Sequence, residues 1–216
     1  MALYRERVLP HLVDLACGSP ALGRWRAEVA AGLAGTVVEV GFGSGLNLGH
    51  YPPEVARILA VEPAATARRI AARRIAAARV PVEHVGLDGH SLGLDDASCD
   101  AALSTFTLCT LRDPMAALAE LRRVLRTGGK LHALEHGLSP DPSVARWQHR
   151  LDPLQRKLAD GCHLTRDPLA MLRDAGFLLE RADQAYGAGP KPWTFFTLAV
   201  ASSPAARGTP QGGPPG

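Results

Sequence analysis

The residues best suited to chemistry lie in a glycine-rich segment in the first quarter of the chain. Residues 39–45 read Glu-Val-Gly-Phe-Gly-Ser-Gly and overlap the end of a short β-branched run at residues 36–40. The glycines at 41, 43 and 45 let the backbone turn tightly and approach a ligand with no side chain in the way. This pattern predicts a nucleotide-like cofactor at Gly41, Gly43 and Gly45, with Glu39 at the start of the loop.

An acidic residue, Glu62, closes the next apolar run at residues 58–61. An acid at the end of the second strand is placed to accept hydrogen bonds from the ribose hydroxyls of an adenosine, in both nicotinamide and S-adenosylmethionine sites. The dinucleotide fingerprint needs a third glycine where this chain has Leu46, and that glycine lets the helix approach a pyrophosphate. Leu46 disfavours a nicotinamide cofactor, and an oxidoreductase is kept as the alternative.

The elements that position this loop alternate along the chain. Apolar and β-branched runs predict strands, and Ala-, Leu- and Arg-rich stretches predict helices. The predicted strands are 36–40, 58–61, 80–87, 101–106, 130–134, one beginning at 176–177, and 193–200; the predicted helices include 21–33, 63–79, 114–125, 143–158 and 167–175, with a helix start at 46–50. This order predicts an α/β fold, a Rossmann-like doubly wound, mostly parallel seven-stranded sheet with flanking helices.

The same pattern divides the chain into segments. We predict an N-terminal helical segment at 1–34, a cofactor-binding domain at 35–201 and a disordered Pro/Gly-rich tail at 202–216. The helix carrying Trp147 comes where alternation would place only a crossover, which indicates a lid-like insertion near 141–166.

Composition narrows the class of protein. The 216 residues have a net charge of +3 with no dominant basic block, so no nucleic-acid partner is expected. No run of about 18 apolar residues occurs, so no transmembrane segment is expected. The four cysteines form no CxxC pair, so the sequence predicts reduced thiols, a cytoplasmic location and no metal site.

Four strings together resemble the successive motifs of class I S-adenosylmethionine-dependent methyltransferases. They are the glycine loop at 39–45, Glu62, Leu-Asp-Gly at 87–89 and Arg-Thr-Gly-Gly-Lys at 126–130, and the resemblance spans roughly 35–200. It implies S-adenosyl-L-methionine as the cofactor, with its amino-acid part at the glycine loop. It also implies that Glu62 holds the ribose, and that Asp88, beside Gly89, contacts the adenine amino group.

A narrower resemblance is to the small group that contains the alkyl thiol methyltransferases. It is carried by Thr-Leu-Cys at 107–109, Glu-His at 135–136 and Asp-Gly-Cys-His-Leu-Thr-Arg at 160–166. This resemblance implies methyl transfer to a small or lipophilic acceptor, with a thiol as one candidate. A non-catalytic cofactor-binding protein on the same fold is a further alternative, because fold does not imply function.

Catalytic and acceptor-binding candidates follow from that resemblance. Methyl transfer needs mainly a positioned nucleophile, and a base near a thiol would raise its thiolate fraction. His136 is the first candidate base, followed by Asp160 and His163. Cys109, Trp147 and Cys162 are candidates for binding the acceptor, and a pocket shared by Cys109, Cys162 and Cys17 would suit a soft ligand such as a metalloid. Buried packing is the simpler interpretation of the cysteines.

Overall fold

Helices and strands alternate through residues 4–86 and 91–204, which are the residues that the computed structural model describes. The strands are β1 Gly35–Val40, β2 Val55–Val61, β3 Val82–His84, β4 Cys99–Thr105, β5 Leu125–His136, β6 Leu178–Tyr186 and β7 Phe195–Ser202. The α-helices are α1 Leu9–Cys17, α2 Pro20–Ala30, α3 Ala65–Ala76, α4 Pro114–Val124, α5 Pro142–Leu158, α6 Pro168–Asp174 and α7 Lys191–Thr194, preceded by a π-helical turn at Tyr4–Val8.

The seven strands form one sheet in the order β3-β2-β1-β4-β5-β7-β6. Strands β1 to β5 pair in parallel, and β7 runs antiparallel to both of its neighbours. The predicted Rossmann-like, mostly parallel seven-stranded sheet is therefore confirmed. Strand order reverses between β1 and β4, and the crevice at the carboxyl ends of strands beside such a reversal is where ligands bind in doubly wound folds.

Two apolar layers cover the two faces of the sheet. Side chains alternate along β1, so Val38 and Val40 join one cluster with α4 and α6 residues such as Leu121 and Leu172. Val37 joins the other cluster, together with Val29 of α2. Because helices cover both faces, polar side chains needed for chemistry are left to the strand ends.

The predicted helix start at 46–50 is wrong. These residues form successive turns, in which the amide of Leu48 donates to the carbonyl of Gly45 at 3.2 Å and that of His50 to Asn47 at 2.9 Å. Proline disfavours helical backbone in the residue before it and lacks an amide hydrogen, so Pro52 and Pro53 prevent the turns from extending into a helix.

Some predictions concern residues outside the described part of the chain. These are Asp88 and Gly89 of the predicted adenine contact, and the part of the predicted tail after residue 204. The division at residues 34 and 201 and the lid-like role of 141–166 stay predictions. Within 4–86 and 91–204, none of the helices has the length and apolar character needed to cross a membrane.

Candidate functional site

The glycine loop at the end of β1 is clamped to β2 and to the loop after β4. The amides of Gly41 and Phe42 both donate to the carbonyl of Val61, at 3.0 and 3.1 Å. Gly41 has φ +73°, and a Cβ there would lie 1.9 Å from Thr107 Oγ1. At Gly43, with φ +58°, a Cβ would meet nothing closer than the Gly41 carbonyl oxygen at 3.7 Å. Gly41 thus permits close packing of two loops, and Gly43 leaves open backbone for a ligand.

The carboxylate of Glu62 holds the tip of this loop. It is 8% exposed and accepts hydrogen bonds from the amides of Gly43 and Ala64, both at 2.8 Å. Burial raises the pKa of Glu62, against the lowering effect of those two amides. A carboxylate has about four acceptor positions, so two remain for hydroxyl donors of a ligand.

A second carboxylate, Glu39, lies fully buried under the loop. Asn47 Nδ2 donates to it at 2.7 Å and the Tyr51 hydroxyl at 2.5 Å. Burial raises the pKa of Glu39 to about 7, while these two hydrogen bonds and Arg26 act in the opposite direction. Both donors come from residues 46–51, so the turns that replace the predicted helix are held on Glu39.

Arg26 of α2 supplies a buried cation beside these carboxylates. Its Nη1 donates to Asn47 Oδ1 at 2.8 Å and Thr105 Oγ1 at 3.3 Å, and its Nη2 donates to the Cys17 carbonyl at 3.4 Å. Its guanidinium carbon lies 5.7 Å from the centre of the Phe106 ring. Within the described residues, the buried Nε of Arg26 has no hydrogen-bond partner. A buried donor of this kind suits an anionic group of a ligand.

A third carboxylate, Glu135 at the end of β5, organises the loop after β4. It accepts hydrogen bonds from the amides of Thr107, Leu108 and Cys109, at 3.1, 3.0 and 3.2 Å, and from the Ser104 hydroxyl at 2.8 Å. Burial raises the pKa of Glu135, and these donors lower it. Glu135 therefore fixes the position of Cys109.

Next to Glu135, His136 and two cysteines bring three donor atoms together. His136 Nδ1 lies 3.7 Å from Cys109 Sγ and 3.8 Å from Cys162 Sγ, and the two sulfurs are 3.7 Å apart. The contact between the sulfurs, with help from His136, lowers the pKa of Cys162, and the same contact raises that of Cys109. Cys17 is not part of this group among the described residues.

A turn after α5 brings Cys162 to Cys109. The amide of His163 donates to the Cys109 carbonyl at 2.8 Å, which joins the two segments directly. The His163 ring faces Asp152 instead, with Nδ1 3.5 Å from a carboxylate oxygen. Asp160 lies in the turn itself, with φ +49°. Among the predicted catalytic residues, His136 is the one whose ring nitrogen is shown beside the two sulfurs. The catalytic roles of His136, Asp160 and His163 stay predictions.

Aromatic rings pack around His136 at this edge of the sheet. Phe106, at φ +54°, packs against His136 with ring centres 5.1 Å apart and against Phe196 at 5.4 Å. Phe196 also contacts Trp25 edge-on at 5.6 Å. These rings give the strand-end edge an apolar wall next to its ionic groups.

Trp147 lies away from this wall. It is 55% exposed on α5, and the guanidinium of Arg150 lies 5.5 Å from its ring centre. Its predicted contact with the acceptor stays a prediction. The other two candidates for acceptor binding, Cys109 and Cys162, are buried together at the strand ends.

Sequence reasoning missed Arg26, Asn47, Tyr51 and Thr105. Asn47 and Tyr51 follow the glycine loop closely, so a buried acid at Glu39 could have prompted a search for donors in the next ten residues. Arg26 carries no motif, and only the packing of α2 brings it to the site.

Comparisons with known proteins agree with this geometry. A family described as "Methyltransferase domain" matches residues 38–133. The thiol S-methyltransferase TMT1B of Rattus norvegicus is 34% identical over 146 residues, covering 66% of this chain and 59% of that protein. The protein of the same name from Homo sapiens is 35% identical over 147 residues, covering 65% and 59%. The matched part thus spans about 59% of the length of these curated relatives.

A solved structure supports the fold. An S-adenosylmethionine-dependent methyltransferase from Thermotoga maritima superposes with a TM-score of 0.65 at 21% identity, covering 92% of this chain and 97% of that one. At this identity the likeness shows the fold alone. Sheet order, glycine loop, the family match over residues 38–133 and the relatives agree with the resemblance in the sequence, and together they support a class I S-adenosylmethionine-dependent methyltransferase.

Proposed function

We propose that this protein transfers the methyl group of S-adenosylmethionine to the sulfur of a small or lipophilic thiol. The observation that carries the proposal is one shared loop: Thr107 packs against Gly41 of the cofactor loop, and two residues later Cys109 lies against His136. Methyl donor and sulfur chemistry therefore meet at one edge. The relatives named thiol S-methyltransferases support a thiol acceptor over a nucleic acid.

The residues at the glycine loop fit the cofactor that the family implies. Glu62 keeps acceptor positions free for the ribose hydroxyls, and open backbone at Gly43 admits the ligand. In this proposal Glu39 accepts from the ammonium group of the cofactor's amino-acid part. The Nε of Arg26, which has no hydrogen-bond partner among the described residues, donates to the carboxylate of that part. Bound S-adenosylmethionine supplies an electrophilic methyl group on a sulfonium.

The chain's own residues supply positioning and proton handling. The acceptor thiolate forms the new carbon–sulfur bond, and the electron pair of the broken bond stays on the former sulfonium sulfur. The rings of Phe106 and Phe196 exclude water and hold the acceptor on the methyl axis, which accounts for much of the rate in such displacements. His136, half-buried beside them, is the candidate acceptor of the thiol proton.

We also propose that the protein works in a reducing compartment such as the cytoplasm. All four cysteines are free thiols, and the sulfurs of Cys109 and Cys162 are 3.7 Å apart without a bond. An oxidising compartment would favour their joining.

Calorimetric titration tests the cofactor assignment. Wild type should bind S-adenosylmethionine and S-adenosylhomocysteine and not NADH, with a dissociation constant on the order of micromolar. Glu62→Gln should weaken binding about 10- to 100-fold, the cost of impairing hydrogen bonds to a charged group. Glu83→Gln, an exposed acid on neighbouring β3, is the matched control and should leave binding unchanged.

Product formation tests the acceptor. S-adenosylhomocysteine release is measured with alkyl and aryl thiols, and with amines and phenols of the same carbon skeletons. We expect turnover with the thiols alone. Turnover with amines or phenols but not thiols would refute the acceptor assignment, and failure to bind either sulfur cofactor would refute the function.

A further inference from the structure

The group formed by Cys109, His136 and Cys162 has the arrangement of a metal site. We propose that these three residues bind one Zn²⁺ ion as a Cys₂His set, and that the open fourth position receives the sulfur of the acceptor. The second part rests on the proposed function. No metal was expected from the sequence, because the three residues are 27 and 26 positions apart and form no recognised spacing.

Distances between the donor atoms carry the proposal. Tetrahedral Zn²⁺ has bonds of about 2.3 Å to sulfur and about 2.0–2.1 Å to imidazole nitrogen, which separates two sulfurs by about 3.8 Å and sulfur from nitrogen by about 3.6 Å. The observed separations are 3.7 Å between the sulfurs and 3.7 and 3.8 Å from each sulfur to Nδ1. Each edge of the triangle lies within the tolerance of about 0.2 Å expected of a real site.

The number and type of donors indicate the class of site. Structural zinc sites use four protein ligands, whereas catalytic sites use three and leave a position for water or substrate, with Cys₂His as one known set. Among the described residues, the group that brings its donor atoms together has three members. Both sulfurs are buried, and His136 is half-buried with its ring packed against Phe106 and Phe196.

Surrounding contacts hold the three ligands before any metal arrives. Glu135 fixes the Cys109 amide at 3.2 Å, and the amide of Cys162 donates to the Ala159 carbonyl at 3.0 Å. The bond from His163 to the Cys109 carbonyl joins the two cysteine segments. Gln155 also contacts the Cys162 sulfur. Outer contacts of this kind orient ligands and raise metal affinity.

The proposed site changes how the acceptor is activated. Cys109 and Cys162 bind as thiolates, so each releases its proton to solvent and the two charges balance that of Zn²⁺. An acceptor thiol that takes the fourth position also releases its proton to solvent, since a coordinating thiol is deprotonated. Its sulfur then forms the bond to the methyl carbon as described above, and the neutral thioether product is the weaker ligand and leaves. In this arrangement His136 acts as a ligand.

Metal binding is tested on the purified full chain in the absence of substrates. The protein, reduced with a phosphine and stripped with a chelator, is titrated with Zn²⁺ against a chromophoric chelator. We expect one Zn²⁺ per chain and protection of two of the four thiols from a thiol reagent. Equal zinc affinity in wild type and the Cys109→Ser/Cys162→Ser double variant would overturn the site, as would unchanged thiol reactivity on adding zinc.

Single variants assign the ligands. Cys109→Ser, Cys162→Ser and His136→Gln should each weaken zinc affinity by more than about 100-fold, beyond the loss caused by removing an outer contact. Cys17→Ser is the matched control and should keep the wild-type affinity. If a variant fails to fold, the thiol-protection measurement on wild type still decides the question.

Cobalt tests the open position. Co²⁺ bound to wild type should give the intense visible bands of a tetrahedral thiolate site, and adding 2-mercaptoethanol should shift them. Bands that the thiol leaves unchanged would overturn acceptor binding at the metal. Zinc binding without thiol methylation would refute the proposed function alone, and full methylation by zinc-free protein would refute the metal's role alone.

Discussion

Two fully buried carboxylates lie near the carboxyl ends of two strands, Glu39 in β1 and Glu135 in β5. Burial raises the pKa of both. They differ in their donors: Glu135 accepts from three backbone amides and one hydroxyl, and Glu39 accepts from the side chains of Asn47 and Tyr51.

This difference separates a carboxylate that shapes the backbone from one that can respond to its surroundings. The three amides that donate to Glu135 depend on it as their acceptor while the loop keeps this conformation. The conformation of the loop after β4 therefore depends on that carboxylate. The donors to Glu39 are side chains, and its pKa of about 7 allows its charge to change with a ligand or with pH. Glu135 therefore holds the backbone of the sulfur half of the site, whereas Glu39 in the cofactor half is held by side chains.

Removal of the Glu135 carboxylate should have the largest effect. Glu135→Ala leaves three buried amides and a hydroxyl without their acceptor, at about 1–3 kcal/mol for each unsatisfied group and partial relaxation of the loop. We expect the free energy of unfolding, measured in urea, to fall by about 3–5 kcal/mol.

Glu135→Gln sharpens this expectation. Oε1 of Glu135 accepts from Ser104, Thr107 and Leu108, whereas Oε2 accepts only from Cys109. If the glutamine oxygen takes the place of Oε1, the amino group takes the place of Oε2 and faces the Cys109 amide, which is also a donor. The variant should therefore fold but bind zinc more weakly, because the position of the proposed ligand Cys109 is disturbed. A Glu135→Ala variant as stable as wild type would remove the contrast between the two carboxylates.

A pH-dependent effect of intermediate size is expected from Glu39. Its pKa of about 7 in the folded protein exceeds the ordinary value of 4.5, so the folded state holds more protons between these values. The free energy of unfolding therefore falls as the pH rises from about 4.5 to about 7, and the whole loss is present above pH 7. At about 1.36 kcal/mol per pKa unit, Glu39 contributes a loss of about 3 kcal/mol.

Glu39→Gln is the control for this slope. The groups that face Glu39 are Arg26 from α2, Asn47 and Tyr51 from the turns, and Glu62 from the end of β2. Urea unfolding at pH 5 and pH 8 should show a smaller decrease in the variant than in wild type, because the other groups are common to both. An identical decrease would mean that Glu39 does not titrate in this interval.

The fold and the cofactor half of the site could largely be predicted from the sequence. Glycine spacing and a closing acid are local patterns, and the alternation of elements brings Gly41 and Glu62 to one edge of a parallel sheet. The prediction failed where a local pattern was read without its neighbours, since Pro52 and Pro53 convert the expected helix at 46–50 into turns.

The sulfur half could be predicted only in part. Cys109, His136 and Cys162 each fell within a recognised string, but Cys17 was expected with the two cysteines and His136 was treated separately. Their meeting depends on the exact end of β5 and on the turn at Asp160 and Gly161, both with positive φ. Such side-chain positions depend on loop closure between distant segments, which periodicity does not describe.

Removal of the Tyr51 hydroxyl should have the smallest effect on the free energy of unfolding. It tests directly whether Glu39 changes its charge. Tyr51→Phe removes the 2.5 Å hydrogen bond to Glu39, which lowers that carboxyl's pKa, so the pKa of Glu39 should rise above about 7. A bond to a charged acceptor is worth about 1.5–3 kcal/mol and one to a neutral acceptor about 1 kcal/mol. The variant should therefore lose more stability at pH 8 than at pH 5.

Tyr186→Phe, which removes a 2.5 Å contact with the Ser139 hydroxyl, is the control and should lose the same amount of stability at both pH values. Equal losses at both pH values for Tyr51→Phe would show that Glu39 keeps one charge state throughout, and would remove the basis for treating it as the responsive carboxylate.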